Sequence, residues 1–144
     1  MSDEARRDAF LRVLTATATA EAEGLAEILA DDFSAWSPSM SVSSRDELLD
    51  ELRERDALLS EVVVGIDAMH VVDDRAYAEW VISAVHAGAY AIDDDIVIEA
   101  TGNPVTLRGI SVAEFSGDKI TELRQYWDEV GLLEALGLLE LDDE

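Results

Sequence analysis

Four long β-patterned runs crowded into the second half of the chain constrain its fold more than any other feature. Residues 61–72 (EVVVGIDAMHVV), 75–90 (RAYAEWVISAVHAGAY), 105–116 and 119–127 are rich in Val, Ile, Tyr and Trp, the types that suit a pleated, half-buried surface. Asp73-Asp74 marks a turn between the first two runs, and Gly117-Asp118 a tight hairpin between the last two. Parallel strands need a crossover of a dozen or more residues, so strands joined this closely pair antiparallel. Asp93–Asp95 breaks the pattern between the two pairs. The result is a meander of long antiparallel strands.

The first 60 residues read differently. Phe10, Leu11, Leu14 and Ala18 recur at three- and four-residue steps and predict a helix over 3–19. Leu25, Ile28 and Leu29 predict a second helix over 21–31, ended where Asp31-Asp32 opposes its dipole. A short strand over 33–37 is closed by Pro38. Ser44-Arg45-Asp46-Glu47 has the form of a capping box, opening a third helix to about Leu59 with Leu48, Leu49 and Leu52 on one face. Asp128 opens a last helix bearing Leu132, Leu133 and Leu136, with Gly137 near its end. Helices segregated to one side of an antiparallel sheet make the fold class α+β. At 144 residues and 49% hydrophobic content, a single domain over 1–144 can bury a core of its own.

Charge narrows the partners. Asp and Glu total 33 against 10 basic residues, for a net charge of −23, and Lys119 is the only lysine. No cluster of cations exists to neutralise phosphates, which argues against nucleic acid and anionic membrane surfaces as partners. Cysteine is absent, so disulfides and thiolate chemistry are excluded. The polar start MSDEARRDAF is no secretory signal, and no apolar run reaches the length of a membrane span; the expected location is the cytoplasm. Acids spread along the whole chain repel one another in dilute salt, whereas molar salt shortens the Debye length to about 3 Å. The composition therefore predicts a halophilic protein. Its melting temperature is expected to rise by about 5 °C or more between 0.1 and 2 M KCl, at about 4 °C per kcal/mol for this chain length. A melting temperature that does not rise with KCl contradicts that reading.

Three stretches carry a resemblance. Leu29-Ala30-Asp31-Asp32-Phe33 resembles an "LL-x-D-D-F" helix-to-strand passage, and Ala84-Val85-His86-Ala87-Gly88 a "G-T-H-x-G" strand. GDKITELRQYWDEVGLLEALG, residues 117–137, resembles a last strand running into "D-x-x-G-L-L-x-Q-L-G". Together they are similar to the SnoaL-like polyketide and ester cyclase family of the nuclear transport factor 2-like superfamily. The resemblance implies a cone, with a strongly curved antiparallel sheet wrapped around N-terminal helices, a short C-terminal helix and a pocket in its mouth. It also implies a homodimer and a small hydrophobic molecule as partner, with no cofactor. In ring-closing relatives a carboxylate on the last strand is the general acid/base, assisted by a histidine on the neighbouring strand. Matched without gaps, those positions hold Gln125 and, at or near, Ser111. Glutamine binds a carbonyl but exchanges no proton near neutral pH.

His86 then becomes the candidate catalytic group, on one strand face with Trp80, Ile82 and Ala84; the alternative is a neutral histidine satisfied by its neighbours. Trp36, Trp80, Tyr90 and Trp127 are candidate pocket walls, with Ser111 and Gln125 as the polar groups inside; the alternative is plain core or a subunit contact. Asp128 reads as an N-cap, and Arg124 with Glu122 and Glu114 as a surface charge cluster. Two histidines, His70 and His86, without cysteine make no zinc set. Three functions are open: an acid–base isomerase, cyclase or hydrolase using His86 with Gln125 and Ser111 orienting a carbonyl; a binding protein without the chemistry; and a dimeric scaffold using the outer sheet face.

Overall fold

The computed structural model describes residues 3–19, 21–38, 40–54, 59–87, 90–91 and 97–135. Helix α1 (Asp3–Thr19) is followed by a single 3-10 turn (Leu25–Glu27), strands β1 (Leu29–Ser37) and β2 (Met40–Val42), and helix α2 (Arg45–Glu54). Strands β3 (Leu59–Val72) and β4 (Arg75–His86), a two-strand ribbon of β5 (Tyr90–Ala91) and β6 (Val97–Ile98), strands β7 (Pro104–Ser116) and β8 (Lys119–Trp127), and helix α3 (Glu129–Ala135) complete the order. Six strands form one curved sheet in the order β2-β1-β8-β7-β4-β3. The fold is α+β, a cone-like sheet with a short last helix, as expected from the sequence.

Several elements differ from expectation. Residues 21–31 are not a helix: Gly24 sits in the left-handed region at φ 81°, and only Leu25–Glu27 turns. Leu29 already belongs to β1 and pairs with Ile120 of β8, because burying Leu29 and Phe33 in the sheet outweighs a weak local helix preference. The sheet is not wholly antiparallel, since β1 and β8 run parallel. In α1 the buried stripe is Phe10, Val13 and Leu14 with Ala9 and Ala16, whereas Leu11 is 41% exposed. The run over 75–90 ends as a strand at His86. Asp93–Asp95, Leu136 and Gly137 lie outside the described residues.

The local signals hold. The amide of Glu47 donates to Ser44 Oγ at 3.1 Å, and the Glu47 carboxylate accepts from the Ser43 amide at 2.7 Å, so the capping pair closes one residue earlier than the ideal box. Asp128 caps α3, its carboxylate accepting from the Gly131 amide at 2.9 Å. Arg6 on α1 ties both hairpins together: its guanidinium donates to the carbonyl of Gly117 at 3.0 Å and to that of Asp73, and lies 5.5 Å over the Phe115 ring. Among the described residues, no helix is long and apolar enough to cross a membrane.

Alternation sorts the side chains of the long strands. On β4, Ala76, Ala78, Trp80, Ile82, Ala84 and His86 are all buried on the inner face. On β7 the inner positions are Val105, Leu107, Gly109, Ser111, Ala113 and Phe115, and on β8 Leu123, Gln125 and Trp127. The helices pack over this face, so it is both core and a surface that the sheet can offer an enclosed molecule.

Candidate functional site

A line of three residues crosses the inner face. Trp80 on β4 pairs with Gly109 on β7, which pairs with Trp127 on β8. Gly109 has no side chain, so the two indoles close over it, with ring centroids 6.5 Å apart at 61°. A Cβ on Gly109 would lie 2.4 Å from Trp80 Cζ2 and 2.5 Å from the Tyr126 carbonyl. One strand step deeper, Ser111 and Gln125 pair across β7 and β8.

These groups form one directed hydrogen-bond chain. Trp80 Nε1 donates to Ser111 Oγ at 2.9 Å, and Ser111 donates to Gln125 Oε1 at 2.8 Å. Gln125 Nε2 donates to Thr17 Oγ1 of α1 at 3.3 Å, and Thr17 returns its proton to the Val13 and Leu14 carbonyls at 3.0 and 3.1 Å. The Val13 and Leu14 carbonyls can only accept, so Thr17 gives them its proton and receives Gln125 Nε2–H, which leaves Gln125 Oε1 to accept from Ser111. Each member is uncharged. Trp127 bonds away from the chain, donating Nε1–H to Glu129 Oε1 at 2.8 Å.

His86 stands apart from this chain. It shares the inner face of β4, but Ser111 pairs with Ala78, eight residues away. At about 3.3 Å per residue the two lie roughly 25 Å apart along the strand. Ser111 and Gln125 therefore do not orient a carbonyl for His86, as the sequence reading had it. His86 is fully buried, and residues 101–103 wrap it. Its amide donates to the Asn103 carbonyl and its carbonyl accepts from the Gly102 amide, both at 2.9 Å. The Thr101 amide donates to Nδ1 at 3.2 Å, with Thr101 Oγ1 2.9 Å from the same nitrogen. On the other side of the ring, Nε2 has no partner among the described residues. A buried orphan of this kind costs about 1–3 kcal/mol.

The other expected pocket residues divide. Trp36 points to the outer face, where it is 44% exposed and packs on Tyr126 with centroids 5.3 Å apart; the inner positions of β1 are Phe33, Ala35 and Ser37. It is no part of an inner pocket. Tyr90 begins β5, and its side chain lies outside the described residues. Arg124 also faces outward, bonded to Glu114 at 2.6 Å and Glu122 at 2.7 Å. The Arg124 hydrogen bond holds the Glu114 carboxyl below its usual range. Sequence reasoning missed Thr17, Thr101 and Gly109. Only Gly109 left a trace, as a lone glycine inside a strand pattern, which signals close approach by another group.

Among the described residues, four polar side chains are buried: Ser37, His86, Ser111 and Gln125. Of these, His86 alone carries an acid–base ring. No group of three or more potential metal ligands occurs among the described residues. A groove of about 370 Å³ reaches Trp80, Gly109 and Trp127 from the outside and is edged by Asp67, Glu79 and Arg108.

The model of the SnoaL-like domain matches residues 10–123, well over half of the chain. The chain belongs to the SnoaL-like domain family. No curated protein matches it. Among solved structures, TsrD from Streptomyces laurentii superposes with a TM-score of 0.78 at 16% identity, over 96% of this chain and 99% of that one. IdmH, a candidate polyketide cyclase from Streptomyces antibioticus, has a TM-score of 0.70 at 17% identity, over 92% and 98%. An LEH-like epoxide hydrolase of M. tuberculosis has a TM-score of 0.68 at 15% identity, over 92% and 90%. At these identities the likeness is one of fold.

Proposed function

We propose that this SnoaL-like domain encloses a small, mostly apolar molecule against the inner sheet face and binds it without proton transfer at the Ser111–Gln125 position. The observation that carries this reading is the uncharged chain from Trp80 through Ser111 and Gln125 to Thr17. Gln125 stands where the resemblance puts the carboxylate of the ring-closing relatives. Every member of the chain already has a partner, and none releases a proton near pH 7. The apolar and aromatic inner face, with few placed polar groups, is the composition of a small-molecule site. A candidate polyketide cyclase and an epoxide hydrolase on the same fold support a small organic molecule as the ligand class.

Acid–base chemistry on a small hydrophobic carbonyl compound is the second reading, and the buried His86 favours it. It would have to run without Ser111 and Gln125, which are too distant to help.

A thermal-shift screen in 2 M KCl, with lactones, epoxides, ketosteroids and aromatic polyketides, tests the binding reading. A ligand at a hundredfold excess over Kd is expected to stabilise the fold by about 2.7 kcal/mol. Cooperative melting with no shift for any compound counts against it.

A further inference from the structure

Among the described residues, His86 Nε2 is a buried hydrogen-bonding group of the inner face without a partner, and its chemistry is readable from its neighbours. The Thr101 backbone amide points at His86 Nδ1 from 3.2 Å. A backbone N–H can only donate, so Nδ1 must be the accepting, unprotonated nitrogen. With Nδ1 unprotonated, Thr101 Oγ1, at 2.9 Å from it and accepting the Asn103 amide at 3.1 Å, shares the same lone pair as a second donor. The ring proton therefore sits on Nε2, an assignment made from partners rather than from visible hydrogens. That N–H is buried and meets no acceptor among the described residues. The ring is held by the hydrogen bonds of residues 101–103 to both its backbone and Nδ1, so the donor is fixed in direction before anything binds.

We infer that His86 is a preorganised, neutral hydrogen-bond donor whose Nε2–H receives an acceptor oxygen of the bound molecule: a ketone, ester, lactone or epoxide oxygen. This rests on the binding reading above and assigns the functional group it recognises. His86 is in this account a binding residue, with Thr101 as its positioning residue. A ligand that offers only N–H or O–H donors at that point meets another donor and is rejected. A pure hydrocarbon leaves the orphan unsatisfied.

The test uses cyclohexanone, which has one acceptor and no donor, titrated into the full chain with ¹⁵N-labelled histidine in 2 M KCl at pH 7. In the free protein the ¹⁵N shifts should show His86 protonated on Nε2. During titration the Nε2–H signal should move downfield and saturate at the Kd read from the ketone-dependent rise in melting temperature. His86→Phe should bind the ketone about tenfold more weakly; if that variant does not fold, the parent's Nε2–H shift decides alone. A proton found on Nδ1 overturns the proposal. Saturable binding with an unmoved Nε2–H, as when a trapped water already satisfies it, overturns the proposal and leaves the binding reading standing. No binding at 100 mM ketone overturns the proposal and leaves the binding reading to the wider screen.

Discussion

Gly109→Ala is expected to destabilise the domain by about 3 kcal/mol and to abolish the near-ultraviolet signature of the Trp80–Trp127 pair. Two obstacles make the effect large. The new methyl would stand 2.4 Å from the Trp80 ring and 2.5 Å from the Tyr126 carbonyl, closer than atoms in a packed interior approach. The backbone cannot move without breaking its register with Trp80 and Trp127. The indole cannot turn away without giving up its bond to Ser111, which would strand its buried N–H. Gly65→Ala is the matched control, since a Cβ there meets Val81 Cγ1 at an ordinary 3.4 Å; it should change stability by less than about 1 kcal/mol. Denaturant unfolding of the two variants checks the contrast. Equal stabilities would mean that the tryptophans do not close over Gly109.

Gln125→Glu should cost about 3 kcal/mol at pH 7, although it restores the carboxylate of the ring-closing relatives. The side chain is 6% exposed, and its Nε2 donates to Thr17 while Oε1 accepts from Ser111. An ionised carboxylate cannot supply that donation, and none of its hydrogen-bonding neighbours is a cation. A protonated one can, so burial and the hydrogen bond to Thr17 both favour the neutral acid and raise its folded pKa above the unfolded value of about 4.3. The sign follows from proton binding. Below about pH 4 both states are protonated and the variant is closest to the parent; its relative stability falls as pH rises through the folded pKa. Paired unfolding curves from pH 4 to 8 check this. A variant as stable as the parent at pH 7 would show that the position is solvated, and would return weight to the acid–base reading.

Much of the architecture was legible because it is written locally. Period-two alternation and the turn residues Asp73-Asp74 and Gly117-Asp118 define both hairpins, and each turn begins with a residue of positive φ, Asp73 at 55° and Gly117 at 62°. The caps at Ser44 and Asp128 also depend only on near neighbours. Failures occurred where distant pairing decides. Leu25, Ile28 and Leu29 have helical spacing, but Ile120, 91 residues later, pulls Leu29 into a parallel strand. The side to which Trp36 points depends on the register of β1 against β8, in which Trp36 pairs with Arg124 and not with Gln125. Likewise, the sequence placed His86 and Ser111 on inner faces, but only the pairing of Ala78 with Ser111 sets their separation. Chemistry was legible by residue type, and distance was not.

The most direct test of the central claim, that a small apolar molecule is held against the inner face, is a ¹H–¹⁵N spectrum of the three indole N–H groups. Trp80 and Trp127 lie on the inner face, and Trp36 on the outer. Titration with a compound that raises the melting temperature should shift the Trp80 and Trp127 signals saturably and leave Trp36 in place. A shift confined to Trp36, or none at all at saturating compound, would contradict the account.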